Sequence, residues 1–179
     1  KATTATAAMK IKLLLAFALL ASIAKIYAQE KSKIKFGKIT PEDFKQTVYS
    51  LDSSANAVVI AEIGSTEIVG NNKGGFSLEF KRFKRAHILN KNGYDIANVE
   101  IGIYTDGDRE EELVTLKAVT YNLENGKVVE TKLETKSAVF KDKINKKLVV
   151  KKFTFPNIKE GSIIEYEYKL NPDFIFNLQ

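Results

Sequence analysis

Apolar and polar residues alternate with period two over most of the chain beyond Ala55. Phe76, Leu78 and Phe80 alternate with Ser77, Glu79 and Lys81, and Val99, Ile101 and Ile103 alternate with Glu100 and Gly102. Val114 and Leu116 alternate with Thr115 and Lys117. Val119, Tyr121 and Leu123 then take up the apolar positions one residue out of step, a slip that predicts a β-bulge near Ala118. Ile164, Tyr166, Tyr168 and Leu170 alternate with Glu165, Glu167 and Lys169. Period two marks a strand with one buried and one solvated face.

Turn chemistry separates these runs. Gly70-Asn71-Asn72-Lys73-Gly74-Gly75 divides the first strand from the second, and Asp106-Gly107-Asp108 and Lys159-Glu160-Gly161 mark further turns. Asn90-Lys91-Asn92-Gly93 and Glu124-Asn125-Gly126 read as hairpin turns, because Asn-Gly tolerates positive φ. Ahead of the strands, Thr40-Pro41-Glu42-Asp43-Phe44 predicts a short helix from Pro41 to about Thr47. It has a hydroxyl at the N-cap, proline at the first position and acids in the first turn. Closely spaced strands without intervening helices predict an all-β fold, an antiparallel sandwich of eight or nine strands behind one short helix.

The first 28 residues break the pattern. After a low-complexity lead, residues 1–8, Met9 opens a basic stretch (Lys10, Lys12) and an apolar run from Leu13 to Ala24, and Lys25-Ile26-Tyr27-Ala28 leads to a cleavage point after Ala28, with Ile26 where a smaller residue is commoner. This is the order of a signal peptide, with a run too short to span a bilayer. The expected organisation is an extraneous lead (1–8), a signal peptide (9–28), a lead-in with the short helix (29–55) and a β-sandwich (56–179). The apolar ending Phe174-Ile175-Phe176-Asn177-Leu178 reads as a domain cut in mid-structure. The expected location is periplasmic or extracellular, with no membrane span after cleavage.

Composition then narrows the chemistry. The formal net charge of +6 includes four lysines and no acid within residues 1–28. The remainder is nearly balanced, so nucleic-acid binding loses its support. No cysteine is present, which excludes disulfides, zinc-thiolate sites and a thiol nucleophile within these residues. The single histidine, His87, reads as a partly exposed strand residue. Asp106, Asp108, Glu110, Glu111 and Glu112 offer carboxylates for calcium, but without EF-hand spacing, so a solvated turn is the simpler reading. Lys81, Arg82, Lys84 and Arg85 interleave cations with Phe83 and form a candidate surface for an anion or an envelope partner such as a polysaccharide. Solvated strand faces are the alternative. Phe153, Phe155, Tyr166, Tyr168, Phe174 and Phe176 are candidates for a glycan platform, although strand spacing favours core. No cofactor, catalytic residue or metal ligand set is expected.

Three segments carry a family resemblance. Residues 153–168 (FTFPNIKEGSIIEYEY), the stretch Ala86-His87-Ile88-Leu89-Asn90-Lys91-Asn92-Gly93 and the stretch 52–60 (DSSANAVVI) resemble, in order, the domain-of-unknown-function family 3857. The resemblance implies an exported β-sandwich-like domain of Bacteroidetes-type bacteria, standing just before a transglutaminase-like domain of the papain-type thiol fold. It implies a context rather than a reaction, and no catalytic residue carries over.

Within the signature, Pro156 is expected to end a strand, Gly161 to close a turn and Ser162 to start the next strand. Glu165 and Tyr166 fall on opposite faces, so only one is expected to be fully buried, and Glu165, if it is the one, must be paired. The expectation is a non-catalytic accessory or interaction domain that positions that downstream domain or engages an envelope partner. The alternatives are a fragment of a transglutaminase-like enzyme or cysteine peptidase, and a calcium- or glycan-binding module.

Overall fold

Among the described residues eight strands form, four of them over the alternating runs at 76–81, 99–103, 114–123 and 164–170. The computed structural model describes residues 34–70 and 75–172, so the lead and signal-peptide expectations and the apolar ending lie outside the described residues. The chain divides into two compact units, residues 1–35 and 36–179, and only Ile34 and Lys35 of the first are described. The second unit holds all the regular structure described below.

Its strands are β1 (Ala57–Gly70), β2 (Phe76–Ile88), β3 (Asn98–Tyr104), β4 (Glu112–Glu124), β5 (Lys127–Lys132), β6 (Phe140–Lys143), β7 (Leu148–Thr154) and β8 (Ile163–Asn171). They build two antiparallel sheets, a large one in the order β1-β2-β8-β4-β5 and a small one in the order β3-β7-β6. The fold is the expected all-β sandwich. A single-turn helix, α1 (Thr135–Ala138), leads from β5 into β6.

The main core lies between the sheets. Ala86, Ile88, Ala118, Ile164, Tyr166, Tyr168 and Leu170 from the large sheet meet Val99, Ile101, Ile103, Val149 and Phe153 from the small one. These are the alternate residues of their strands, as a two-sheet core requires. Aromatic rings fill its centre. Phe153 meets Tyr166 edge-on at 6.1 Å, and Tyr166 stacks on Tyr168 at 6.1 Å. The described aromatic residues considered for a glycan platform are therefore core.

A second, smaller core lies on the other face of the large sheet, where alternation predicts solvent. Phe44, Val119, Tyr121 and Ile163 are buried there, with Phe36, Ile39 and Val128 packed against them. The cover is the segment Phe36–Phe44, ending in a 3-10 helix at Pro41–Phe44. The helix is a single 3-10 turn, shorter than expected, and ends at Phe44, which is buried against the sheet. The Asp43 carboxylate accepts from the amide and hydroxyl of Thr40, at 2.7 and 2.8 Å.

This second core corrects two expectations. The shift of apolar positions at Ala118 is not a bulge, since β4 and β8 run in unbroken register from Thr115 to Tyr121. Ala118 faces one core and Val119 the other. The bulge lies earlier, between Leu113 and Thr115. Glu165 and Tyr166 are both buried, because both faces of β8 are covered at that level.

The Asn90–Gly93 stretch is not a hairpin. It opens a 3-10 helix, Lys91–Ala97, that carries the chain from β2 in the large sheet to β3 in the small one. The Asn90 side chain accepts from the Asn92 amide at 2.9 Å, and a Cβ on Gly93 would stand 2.2 Å from the Asn56 carbonyl oxygen. Asn-Gly serves close approach there. At Asn125-Gly126 it does serve a hairpin, with φ of 51° and 76° between β4 and β5.

Candidate functional site on the outer face of the large sheet

Strand alternation sorts the basic cluster of β2 onto two faces. Arg82 and Lys84 share a face with Ala86 and Ile88, while Lys81 and Arg85 share the outer face with His87. The four cations therefore do not form one surface. Arg82 pairs with Glu62 of β1, and Lys84 stands 3.4 Å from the same carboxylate. The Arg82 hydrogen bond holds Glu62 below the usual carboxylate range. Lys81 bridges Glu79 at 2.9 Å and Glu67 at 3.2 Å.

Arg85 is different. It pairs with Glu165 of β8 in a buried contact, with side-chain exposures of 6% and 0%. Their Cα atoms are direct cross-strand partners. Glu165 accepts from Arg85 through Oε1, and through Oε2 from the Tyr121 hydroxyl at 3.2 Å and the Gly37 amide at 2.9 Å. Arg85 also donates through Nη2 to the Lys38 carbonyl at 3.1 Å. Burial, followed by the charge of Glu165, pushes the Tyr121 hydroxyl pKa far above its ordinary value. A buried ion pair costs much desolvation and persists only when its remaining polar groups are satisfied. Here the segment Phe36–Phe44 supplies a backbone donor and a backbone acceptor to it.

His87 lies next along the same face and is 1% exposed, not the partly exposed residue expected. Burial lowers its pKa, against a weaker opposing effect of the Gly161 and Gln46 backbones. Its Nδ1 lies 3.3 Å from the Tyr49 hydroxyl, and its Nε2 has no partner at hydrogen-bond geometry. Phe44 stands edge-on to the ring at 6.4 Å. The imidazole thus sits beneath the segment that covers the face. Further along that face, a groove of about 250 Å³ is lined by Ile63, Phe83, Lys117, Glu167 and Lys169. Phe36 touches two of its lining residues, with Phe83 at 6.5 Å edge-on and the Lys117 ammonium 5.8 Å above its ring.

The acidic loop between β3 and β4 is turned on its own chain. Asp106 accepts from the Arg109 amide at 2.8 Å and the Asp108 amide at 3.1 Å, and pairs with the Arg109 guanidinium at 2.8 Å. The Arg109 backbone hydrogen bond leads in holding Asp106 below its ordinary value. Glu110 pairs with Lys141 at 2.6 Å, and Glu111 accepts from the Tyr104 amide at 2.8 Å. Among the described residues, no group of three or more histidine, aspartate or glutamate side chains is placed to hold a metal ion.

The signature segment builds a turn with a buried polar centre. Strand β7 ends at Thr154, two residues before Pro156, whose carbonyl accepts from Thr120 at 2.7 Å. Gly161 adopts φ 83°, and β8 starts just after Ser162. The Ser162 hydroxyl accepts from the Lys159 amide at 2.7 Å and donates to Asn122 at 2.6 Å, and Asn122 donates to the Asn157 carbonyl at 3.0 Å. Sequence reasoning missed Thr120 and Asn122. Their one visible signal is that polar residues interrupt a run of buried β4 positions.

No family model matches the chain, so the resemblance to family 3857 stands on its three segments. No curated protein matches it. One solved structure shares the shape weakly: "putative protease from Parabacteroides distasonis" aligns with a TM-score of 0.47 and 13% identity, over 66% of this chain and 23% of that one. The chain thus spans less than a quarter of that protein's length. Among the described residues, no helix is long and apolar enough to cross a membrane.

Proposed function

We propose that this chain is a non-catalytic, exported β module that works by surface recognition, with the β1–β2 arm as its contact surface. The observation that carries this reading is the edge of the large sheet. Strand β1 is outermost, runs for 14 residues and contains no lysine, arginine or proline. Ile60, Ile63 and Ile68 along it are exposed, as is Phe76 across the hairpin from Gly70. Glu62, Glu67 and a register shift between Val59 and Ala61 interrupt the edge, but its isoleucines stay exposed, and a long edge strand with exposed apolar side chains is a surface for strand addition or face contact.

The resemblance to family 3857 supplies the partner to test first, a transglutaminase-like domain of the same parent chain. In that reading any thiol chemistry belongs to the downstream domain, because these 179 residues hold no cysteine. Reading the coding sequence beyond residue 179 tests the context. A cysteine followed by histidine and aspartate supports it, and an immediate stop codon removes it. With that domain purified, Ile68→Lys and Phe76→Ser are expected to weaken its binding to this chain at least tenfold. Unchanged binding would rule the arm out as the contact.

A further inference from the structure

The segment Phe36–Phe44 sits on the large sheet as a bound peptide sits in a groove. Its contacts to the buried ion pair run through backbone groups, the Gly37 amide to Glu165 and the Lys38 carbonyl to Arg85. Its apolar side chains, Phe36, Ile39 and Phe44, pack against Val119, Tyr121 and Ile163. Its charged side chains, Lys38, Glu42 and Asp43, are exposed. Arg85 and Glu165 together therefore read one amide and the next carbonyl of a chain turned at Gly37, while the apolar wall reads side chains. This division of labour, with main-chain hydrogen bonds for affinity and pockets for specificity, is that of peptide recognition by sheets.

Two details fit the groove to this sequence. Gly37 adopts φ +75°, where a side chain is strained, so the amide reaches Glu165 from a backbone shape that favours glycine. Phe44 meets His87 edge-on and Phe36 meets Phe83 edge-on, so the two ends of the segment are each anchored by an aromatic contact. The connection to β1, residues 45–56, contains no helix or strand and exposes Val48 and Leu51. Fully extended, a connection of that length reaches roughly 40 Å, enough to carry the segment to a neighbouring molecule.

We propose that the outer face of the large sheet is a peptide groove for the 36–44 sequence, filled in cis by the chain's own segment and in trans by the same segment of a second copy. Reciprocal exchange makes a two-fold pair in which each groove keeps the contacts it makes with the 36–44 segment, while the Tyr49–Asp52 bridge and the Tyr49–His87 contact of the connection open as it extends. The balance between the two forms is set by the effective concentration that the 45–56 connection maintains. The groove shares Phe83, Arg85 and His87 of β2 with the β1–β2 arm but not Ile68 and Phe76 at the arm's hairpin end, so variants at those two residues test the arm without touching the groove.

The test uses the full chain and a fluorescent synthetic peptide of residues 34–46 as the probe. Weakening the resident segment by Ile39→Ser with Phe44→Ser is expected to open the groove. Peptide anisotropy should then report binding at least tenfold tighter than to the natural chain, and adding Glu165→Gln should lose at least tenfold of it. A weakened chain with natural circular dichroism and no peptide binding would overturn the groove. If the weakened chain does not fold, a chain carrying a protease site between Asp52 and Ser53 replaces it. After cleavage, displacement of the nicked segment by excess labelled peptide supports the groove, and failure of the peptide to enter overturns it. Light scattering tests the second copy: the natural chain should form dimers as concentration rises towards the millimolar range, and excess peptide should disperse them. A chain that stays monomeric throughout overturns exchange.

Discussion

Arg85 and Glu165 stand directly opposite each other on β2 and β8 and form an ion pair shut off from solvent on a face that strand alternation assigns to water. Removing one partner leaves the other charged in a site that cannot solvate it. Glu165→Ala is therefore expected to cost about 3–5 kcal/mol of folding stability, read from urea unfolding. Replacing both, Arg85→Met with Glu165→Leu, should cost clearly less than Glu165→Ala alone, because no buried charge is left over. A double variant as unstable as the sum of its singles would refute that account of the pair.

His87 makes stability depend on pH in one direction. Burial holds its folded-state pKa below the ordinary 6.5, so the unfolded chain takes up the proton first as pH falls. The neutral imidazole thus contributes stability that is intact above pH 6.5 and is lost as pH falls through the lower folded-state value. The slope is at most about 1.4 kcal/mol per pH unit for one proton. His87→Leu should flatten that part of the stability profile, measured by urea unfolding at a series of pH values. Persistence of the same slope in the variant would place the titration elsewhere.

Gly93 is fixed by space and not by dihedral freedom. A methyl group there would stand 2.2 Å from the Asn56 carbonyl oxygen, which also accepts from the Leu89 and Asn90 amides at 2.9 and 3.2 Å. Backbone must move to admit it. Gly93→Ala is expected to destabilise by about 1–3 kcal/mol, the range for overpacking, and calorimetry would show it as a lowered Tm. Gly64→Ala is the control, since its nearest neighbour is a Phe80 ring carbon at an ordinary 3.6 Å.

The arm offers a cheap separation of folding from association. Ile68 is 73% exposed and Phe76 80% exposed. Ile68→Lys with Phe76→Ser should change folding stability by less than about 1 kcal/mol in total, as surface substitutions do. The same change should reduce self-association on concentration, followed by light scattering. A large stability loss would mean that these side chains are covered in solution.

Calcium is expected to leave the melting temperature unchanged at millimolar concentration. Asp106 is engaged by Arg109 and by two backbone amides, and Glu110 by Lys141, so binding would have to break these contacts first. A calcium-dependent rise in Tm, abolished by Asp106→Asn, would reverse that expectation.

The strands were legible because one-face burial leaves a period-two trace, as in Val99-Glu100-Ile101-Gly102-Ile103. The second core was not. Where both faces of β4 and β8 are covered the alternation disappears, and Ala118 next to Val119 then looks like a slipped register. The cover, Phe36 to Phe44, lies far away in sequence, and nothing local to β8 announces it. The same limit explains Asn90–Gly93. Its composition suits a hairpin and a helical crossover equally, and the distant Asn56 carbonyl decides between them. The pairing of Glu165 was foreseeable in kind, since a buried carboxylate needs partners, but its partner Arg85 had read as part of an exposed basic run.

The strand order carries a consequence for how the molecule is assembled. β8 is the last described strand, yet it stands in the middle of the large sheet, between β2 and β4. A chain synthesised from its N-terminus can make the β1–β2 and β4–β5 hairpins early, but the two have no ladder between them until β8 arrives. Until then β2 and β4 each present an unpaired edge, and the Arg85 guanidinium waits for a carboxylate 80 positions further on. Folding of the large sheet is therefore a late event dominated by distant contacts, the kind that is slow and prone to aggregation.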